Sequence, residues 1–197
     1  MSDPETLKVY AEQAAEYARL TTEANSRDPL LAAFIATLPK GGHVLDLGCG
    51  PGDAAAVMAR AGLRVTALDV VPEMVTMAAR HAGVDARLGG FHDIPGPAVF
   101  DGIWANFSLL HAPRADLPGH LAAIVHALRP GGLFHIALKR GTGSKRDRIG
   151  RLYTYYEATE LTALLKDAGL NVTGQNAGRG TGLDGSEADW IALTAHA

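Results

Sequence analysis

The sequence predicts an α/β fold, a doubly wound sheet with helices on both faces, and three observations carry that prediction. Residues 44 to 52, Val-Leu-Asp-Leu-Gly-Cys-Gly-Pro-Gly, read as a short buried strand running straight into three glycines. Apolar segments near 64–69, 84–88, 100–105 and 133–138 alternate with helix-forming segments near 53–61, 72–81, 117–128 and 157–168. The chain has 197 residues and 47% apolar content, enough for one core. It therefore reads as a single domain, 1–197, with a helical cap over 1–40 and the sheet over 41–197.

The elements follow in order. Asp3-Pro4 starts a helix to about Leu20, with Leu7, Tyr10, Ala11, Ala14, Tyr17 and Ala18 on one face. Asp28-Pro29 starts a second, and Pro39-Lys-Gly-Gly42 stops it. After the glycine turn, Pro51 and Asp53 open a run, Ala54 to Ala61, of high helix propensity. Thr154-x-x-Glu157 has the spacing of a capping box for the last helix. Asn171 to Gln175 and Trp190 to Ala195 suit a closing antiparallel pair, and the glycine-rich stretch Asn176 to Glu187 between them reads as a mobile loop.

A strand, a glycine turn and a helix N-terminus make a nucleotide-binding corner. A dinucleotide fingerprint needs Gly-x-Gly-x-x-Gly, and counting from Gly48 the third glycine falls on Asp53. An acid there competes with a pyrophosphate for the helix N-terminus. Asp69 ends the next strand, 19 residues after Gly50 in the sequence, where an acid can accept both ribose hydroxyls. Asp46 and Asp69 flank the turn, which favours a ligand with positive charge. Asp69 sits at an open strand end, so its replacement is expected to change stability little.

Composition excludes other classes. A net charge of −3 gives no general attraction for phosphate backbones, so no nucleic-acid partner is expected. No stretch has the roughly 18 apolar residues of a membrane helix, and the N-terminus, Met-Ser-Asp-Pro-Glu-Thr, is polar and acidic where a secretory leader would be basic and apolar. A cytoplasmic address is the default. Cys49 is the sole cysteine, which excludes an internal disulfide. Between two glycines it reads as a small residue beside the ligand, since no sequence feature supplies a base to activate its thiol. No cluster of His, Cys or acids has metal spacing, so no metal is expected.

Four segments in order resemble the class I S-adenosylmethionine-dependent methyltransferases, over roughly residues 41 to 168. They are the glycine turn Val44 to Gly52, the acidic strand end Ala67 to Met74, the strand Phe100-Asp-Gly-Ile-Trp-Ala-Asn106, and the turn Leu128-Arg-Pro-Gly-Gly132. Phe100 to Pro113 and Gly150 to Tyr156 further resemble small bacterial members of unassigned substrate. The resemblance implies a Rossmann-like sheet of seven strands in the order 3-2-1-4-5-7-6, with strand 7 antiparallel, and a leading helix lying over the cofactor as a lid. It implies S-adenosylmethionine as cofactor and S-adenosylhomocysteine as product, held by Tyr17, Asp46, Gly48, Cys49, Gly50, Asp69, Val70, Met74, Phe91, His92 and Asn106. Gly90 stands where many relatives carry an acid contacting adenine, so backbone around Phe91 takes that part.

On the acceptor side, Asn106 ends a strand facing the ligand and is a candidate catalytic residue. The clamp Asn-Pro-Pro-Tyr of amino methyltransferases is absent, because Phe107-Ser108-Leu109 follows. His111 is a candidate base or substrate ligand. Tyr10, Arg114, Lys139, Tyr153 and Tyr156 complete the substrate candidates. Lys139 to Arg151 holds six basic side chains and one acid, Asp147. It reads either as a solvated flexible loop or as an electrostatic funnel for an anionic acceptor. Methyl transfer asks chiefly for positioning and exclusion of water, with a base only where the nucleophile must lose a proton. The expected function is methyl transfer to a small-molecule acceptor by a monomer or homodimer. The alternatives are a catalytically silent protein that binds S-adenosylmethionine or S-adenosylhomocysteine, and a protein methyltransferase.

Overall fold

A computed structural model describes residues 3–197, with residues 21–26 described by their backbone alone. Five strands, β1 (His43–Leu47), β2 (Arg64–Asp69), β3 (Val84–Leu88), β4 (Phe100–Asn106) and β5 (Leu128–Lys139), pair in parallel. A short ribbon follows, β6 (Ser144–Arg146) with β7 (Leu152–Thr154), and then a hairpin of β8 (Asn171–Thr181) and β9 (Glu187–His196). The main sheet has the order β3-β2-β1-β4-β5-β9-β8, and β9 runs antiparallel to both neighbours. With the ribbon set aside, this is the expected order of seven strands.

The helices are α1 (Pro4–Glu12), α2 (Ala14–Ser26), α3 (Pro29–Thr37), α4 (Asp53–Arg60), α5 (Pro72–Ala78), α6 (Leu117–Ala127) and α7 (Ala158–Asp167). Alternate residues along the central strands feed two cores, one on each face of the sheet. Val44, Val65 and Trp104 pack with Phe34 of α3 and Met58 of α4, whereas Leu45, Leu47 and Ile103 pack with Leu121 of α6 and Leu161 of α7. Both Asp-Pro starts form as expected: Asp3 accepts the Thr6 N–H at 2.9 Å and Asp28 that of Leu30 at 2.8 Å.

Four local expectations are corrected. The leading helix does not run unbroken to Leu20; it ends at Glu12, capped by Gln13, and a second helix begins at Ala14. Thr154 and Glu157 do not form a capping box, because the Thr154 hydroxyl donates to the Ala112 carbonyl at 2.9 Å and Glu157 makes no side-chain cap. The Leu128 to Gly132 turn is absorbed into β5 as a shift of register between Phe100 and Gly102. The stretch Asn176 to Glu187 is mostly strand: Asn176 to Thr181 pair with Glu187 to Ala192, leaving a turn at 182–186.

The last correction has a specific cause. Gly178 pairs with Trp190, and a Cβ there would lie 2.5 Å from the indole Cζ2. The glycine makes room for the ring, which covers the bare backbone across the strands. Trp190→Ala is therefore expected to fray the outer half of this hairpin. Hydrogen exchange should accelerate for amides 176–190 and stay unchanged in β1 and β4.

Candidate active site

The C-terminal ends of β1, β2 and β4 open into a cavity of about 670 Å³ including its open mouth, roofed by α1 and α2. That volume suits a ligand of nucleoside size. Gly48, Gly50 and Gly52 all hold positive φ, and each is crowded: a Cβ on Gly48 would lie 2.3 Å from the Ser108 Cβ, and one on Gly50 3.3 Å from the Tyr17 ring. The turn thus needs glycine both for its backbone shape and for the close approach of what surrounds it.

Asp69 ties this turn to the next strand. Its Oδ2 accepts the Gly50 N–H at 2.8 Å and its Oδ1 accepts the Val71 N–H at 2.9 Å, while burial pushes its pKa up. Both oxygens hold backbone, so the expectation that Asp69 could be removed at little cost to stability is corrected. Asp46 is corrected too. It does not line the cavity; it is 3% exposed behind the turn and accepts the Ala55 N–H in the first turn of α4, whose N-cap, Gly52, has no side chain to offer. Burial, then the neighbouring Asp69 charge, push its pKa up to about 7. Cys49 also lies outside the lining, buried, with its thiol 3.4 Å from the Gly50 carbonyl and its pKa raised by burial. That environment opposes a thiolate.

Tyr10, Tyr17, Val70, Met74, Phe91, Asn106 and His111 line the cavity together with Gly48, Gly50 and Asp69. Tyr10 and Tyr17 meet edge to face at 5.3 Å. Asn106 Oδ1 lies 3.2 Å from Nε2 of His135, whose ring stacks 3.6 Å from that of Trp104. Phe107 follows with a φ of +55°, a strained conformation for a side chain of its size, and its N–H donates to the Ala137 carbonyl. Ser108 Oγ is buried with no hydrogen-bond partner among the described residues. Thr6, Phe107 and Ser108 are lining residues that were not site candidates: Thr6 arrives from α1, where no spacing marks it, and Phe107 and Ser108 follow Asn106 without a motif of their own.

Other candidates lie elsewhere. Arg114 and Tyr156 are not at the cavity: the guanidinium pairs with Glu160 and the Tyr155 carbonyl and lies 4.4 Å over the Tyr156 ring, while Tyr156 is buried in the core. Lys139 and Tyr153 stand behind His111, with the ammonium 3.8 Å above the Tyr153 ring and that ring 4.8 Å from the imidazole. His92 lines a neighbouring hollow, 4.7 Å from the ring of His120. The basic run is not a loose loop. Arg146 pairs with Asp3 and Glu5, Arg140 with Glu157, and Arg151, 2% exposed, with Asp147. Arg146 and Arg151 of this run hold α1 and the ribbon in place.

Among the described residues no group of three His, Cys, Asp or Glu side chains is placed to hold a metal, and no helix is long and apolar enough to cross a membrane.

The buried Asp46 generates a signed expectation. A carboxyl whose pKa is 3.8 unfolded and about 7 folded opposes folding when charged, fully above pH 7 and not at all below about pH 4. Asp46→Asn should therefore raise the melting temperature most at alkaline pH, by up to about 4 kcal/mol of stability. The gain should shrink as pH falls from 7 to 4, which thermal melts across pH will test.

A family model described as a methyltransferase domain matches residues 44–132. A ubiquinone biosynthesis O-methyltransferase of Xylella fastidiosa (strain M23) is 32% identical over 161 residues, 67% of this chain and 62% of that protein. The chain thus spans less than two thirds of the length of that relative. The crystal structure of the Burkholderia thailandensis 1,6-didemethyltoxoflavin-N1-methyltransferase, with 1,6-didemethyltoxoflavin and S-adenosylhomocysteine bound, covers 100% of this chain and 91% of its own, at 25% identity and a TM-score of 0.72. The [4+2]-cyclase SpnF shares the fold at 21% identity and a TM-score of 0.68, over 85% of this chain and 79% of its own. Residues 44–132 thus match a methyltransferase domain, and the sheet order, with the glycine turn set against Asp69, is similar to that of the S-adenosylmethionine-dependent methyltransferases.

Proposed function

We propose that the protein transfers the methyl group of S-adenosylmethionine to a small-molecule acceptor, releasing S-adenosylhomocysteine. The observation that carries this reading is the convergence of the glycine turn, Asp69 and Asn106 on one nucleoside-sized cavity under Tyr10 and Tyr17. The fit rests on the crowded positions of Gly48 and Gly50, where any Cβ would fill the cradle, and on the unpartnered Ser108 hydroxyl beside it. The group, when bound, supplies a sulfonium whose methyl is already electrophilic.

The chain's own residues supply the rest. The remaining lone pairs of Asp69 are the ones to accept ribose hydroxyls, and Val70, Met74 and Phe91 supply apolar surface for the base. Tyr17 and Gly50 face the methionine end. Tyr10, Asn106, Phe107 and His111 form the wall where the acceptor enters, and α1 above them excludes water. The Xylella fastidiosa relative named an O-methyltransferase supports oxygen as the receiving atom.

Calorimetry with S-adenosylhomocysteine is the first test, and absence of binding would overturn the reading. Binding without methylation of any member of a small-molecule panel would favour a silent binding protein, and methylation confined to a polypeptide would favour a protein methyltransferase. Asp69→Asn removes charge-assisted hydrogen bonds worth roughly 1.5–3 kcal/mol each, so nucleoside affinity should fall at least about tenfold.

A further inference from the structure

Resting on that reading, the geometry points to an acidic phenol or enol as the acceptor, reacting as its oxyanion, because the lone pair of His111, the base candidate on the acceptor wall, already accepts the Tyr10 hydroxyl.

The hydrogen-bond chain at the acceptor wall has a fixed direction. His111 Nδ1 lies 2.8 Å from the Leu152 carbonyl, which can only accept, so Nδ1 carries the hydrogen. Arg151 Nη1 lies 3.0 Å from the Tyr10 hydroxyl oxygen, and a guanidinium can only donate. The Tyr10 hydroxyl lies 2.9 Å from His111 Nε2, the bare nitrogen of that ring, so Tyr10 donates its hydrogen there. The order is Arg151 to Tyr10 to His111 to Leu152, and the lone pair a base would use is already filled.

A relay through Tyr10 would have to end in an imidazolium at His111. The groups facing that ring are Tyr10 from α1, with Tyr17 of α2 against it, Tyr153 of β7, Lys139 of β5, Asp69 across the cavity, and Arg151 with Asp147 from the segment between the ribbon strands. Two of them, Lys139 and Arg151, are cations, and the second is paired with the Asp147 carboxylate at 2.8 Å. A sulfonium in the cavity would add a third positive charge. Burial, with Arg151 and Lys139 behind it, already holds His111 down at about 4. Tyr17 is pushed up by burial, and both oxygens of Asp69 hold backbone N–H groups. An acceptor ionised before it enters needs none of them, and the Lys139 ammonium behind His111 favours an anion over an ammonium. In the transfer a lone pair of the acceptor oxygen forms the new O–C bond, the S–C pair returns to sulfur, and the two opposite charges cancel with no proton moved.

The probe is 4-nitrophenol, whose absorbance reports its ionisation, titrated into protein saturated with S-adenosylhomocysteine, with 4-methylphenol as the weakly acidic counterpart. The bound nitrophenol should show the phenolate spectrum, with an apparent pKa at or below its value in water. The nitrogen NMR shifts of His111 should stay those of a neutral ring protonated at Nδ1. With S-adenosylmethionine, the rising limb of the pH–rate profile should move with the pKa of each phenol in a graded series. Capture of the neutral phenol, no capture, protonation of His111 on binding, or a limb that stays fixed across the series would overturn the inference. So would methylation of amines in preference to acidic hydroxyls. Failure to bind S-adenosylhomocysteine would instead overturn the function proposed above, and this inference with it.

Discussion

The Asp69 carboxylate is the constraint on which the site depends. One oxygen holds the Gly50 N–H and the other the Val71 N–H, while the Gly48 and Cys49 N–H groups both donate to the Leu68 carbonyl. Four backbone donors of two successive strand–helix connections are thereby referred to the end of β2. The glycine turn cannot drift from the Asp69 side of the cavity without breaking them together. A charge that accepts backbone N–H groups is stabilised by hydrogen bonds and destabilised by burial, and the upward shift of the Asp69 pKa shows that burial weighs more. A cationic ligand offsets that remaining cost, which is a physical reason for a sulfonium-bearing nucleoside to suit the site.

A second set of contacts places the roof. The Thr6 hydroxyl accepts the Leu152 N–H at 2.8 Å and donates to Asp3, and Arg146 grips Asp3 with both terminal nitrogens. These polar links tie α1 to the ribbon of β6 and β7 more than 140 positions away in the chain. The ion pairs of Arg146 are partly exposed and individually weak, but Arg151 and Asp147 are nearly solvent-free, and their loss would leave charge without a partner. The ribbon thus does two things at once: it fastens the roof and sets the direction of the hydrogen bonds that reach Tyr10 and His111.

Much of the frame was legible because local chemistry and periodicity agree in the sheet. The boundaries of β2 and β3 fall where the apolar runs place them, and both Asp-Pro signals start helices. The errors have a common origin. Gly178 and Gly180 read as loop because glycine has low strand propensity, yet the indole of Trp190 covers them from the next strand. Thr154 and Glu157 have the spacing of a cap, but the hydroxyl found the Ala112 carbonyl first. In each case a partner distant in sequence overrode a local preference.

The sequence by itself determined the nucleoside corner: the glycines, the following helix start and the acid at Asp69 are local features whose geometry follows from the backbone. The tertiary structure alone decided what surrounds the acceptor. It turned Asp46 away to α4, drew Arg114 and Tyr156 into an ion pair and ring stack outside the cavity, and fastened Arg146 of the basic run to the roof. It also filled the lone pair of His111 with a hydrogen from Tyr10. A titratable side chain carries no sign in sequence of whether its partners are already taken, since those partners arrive from α1, β7 and the connection before it, and only their packing fixes which proton points where.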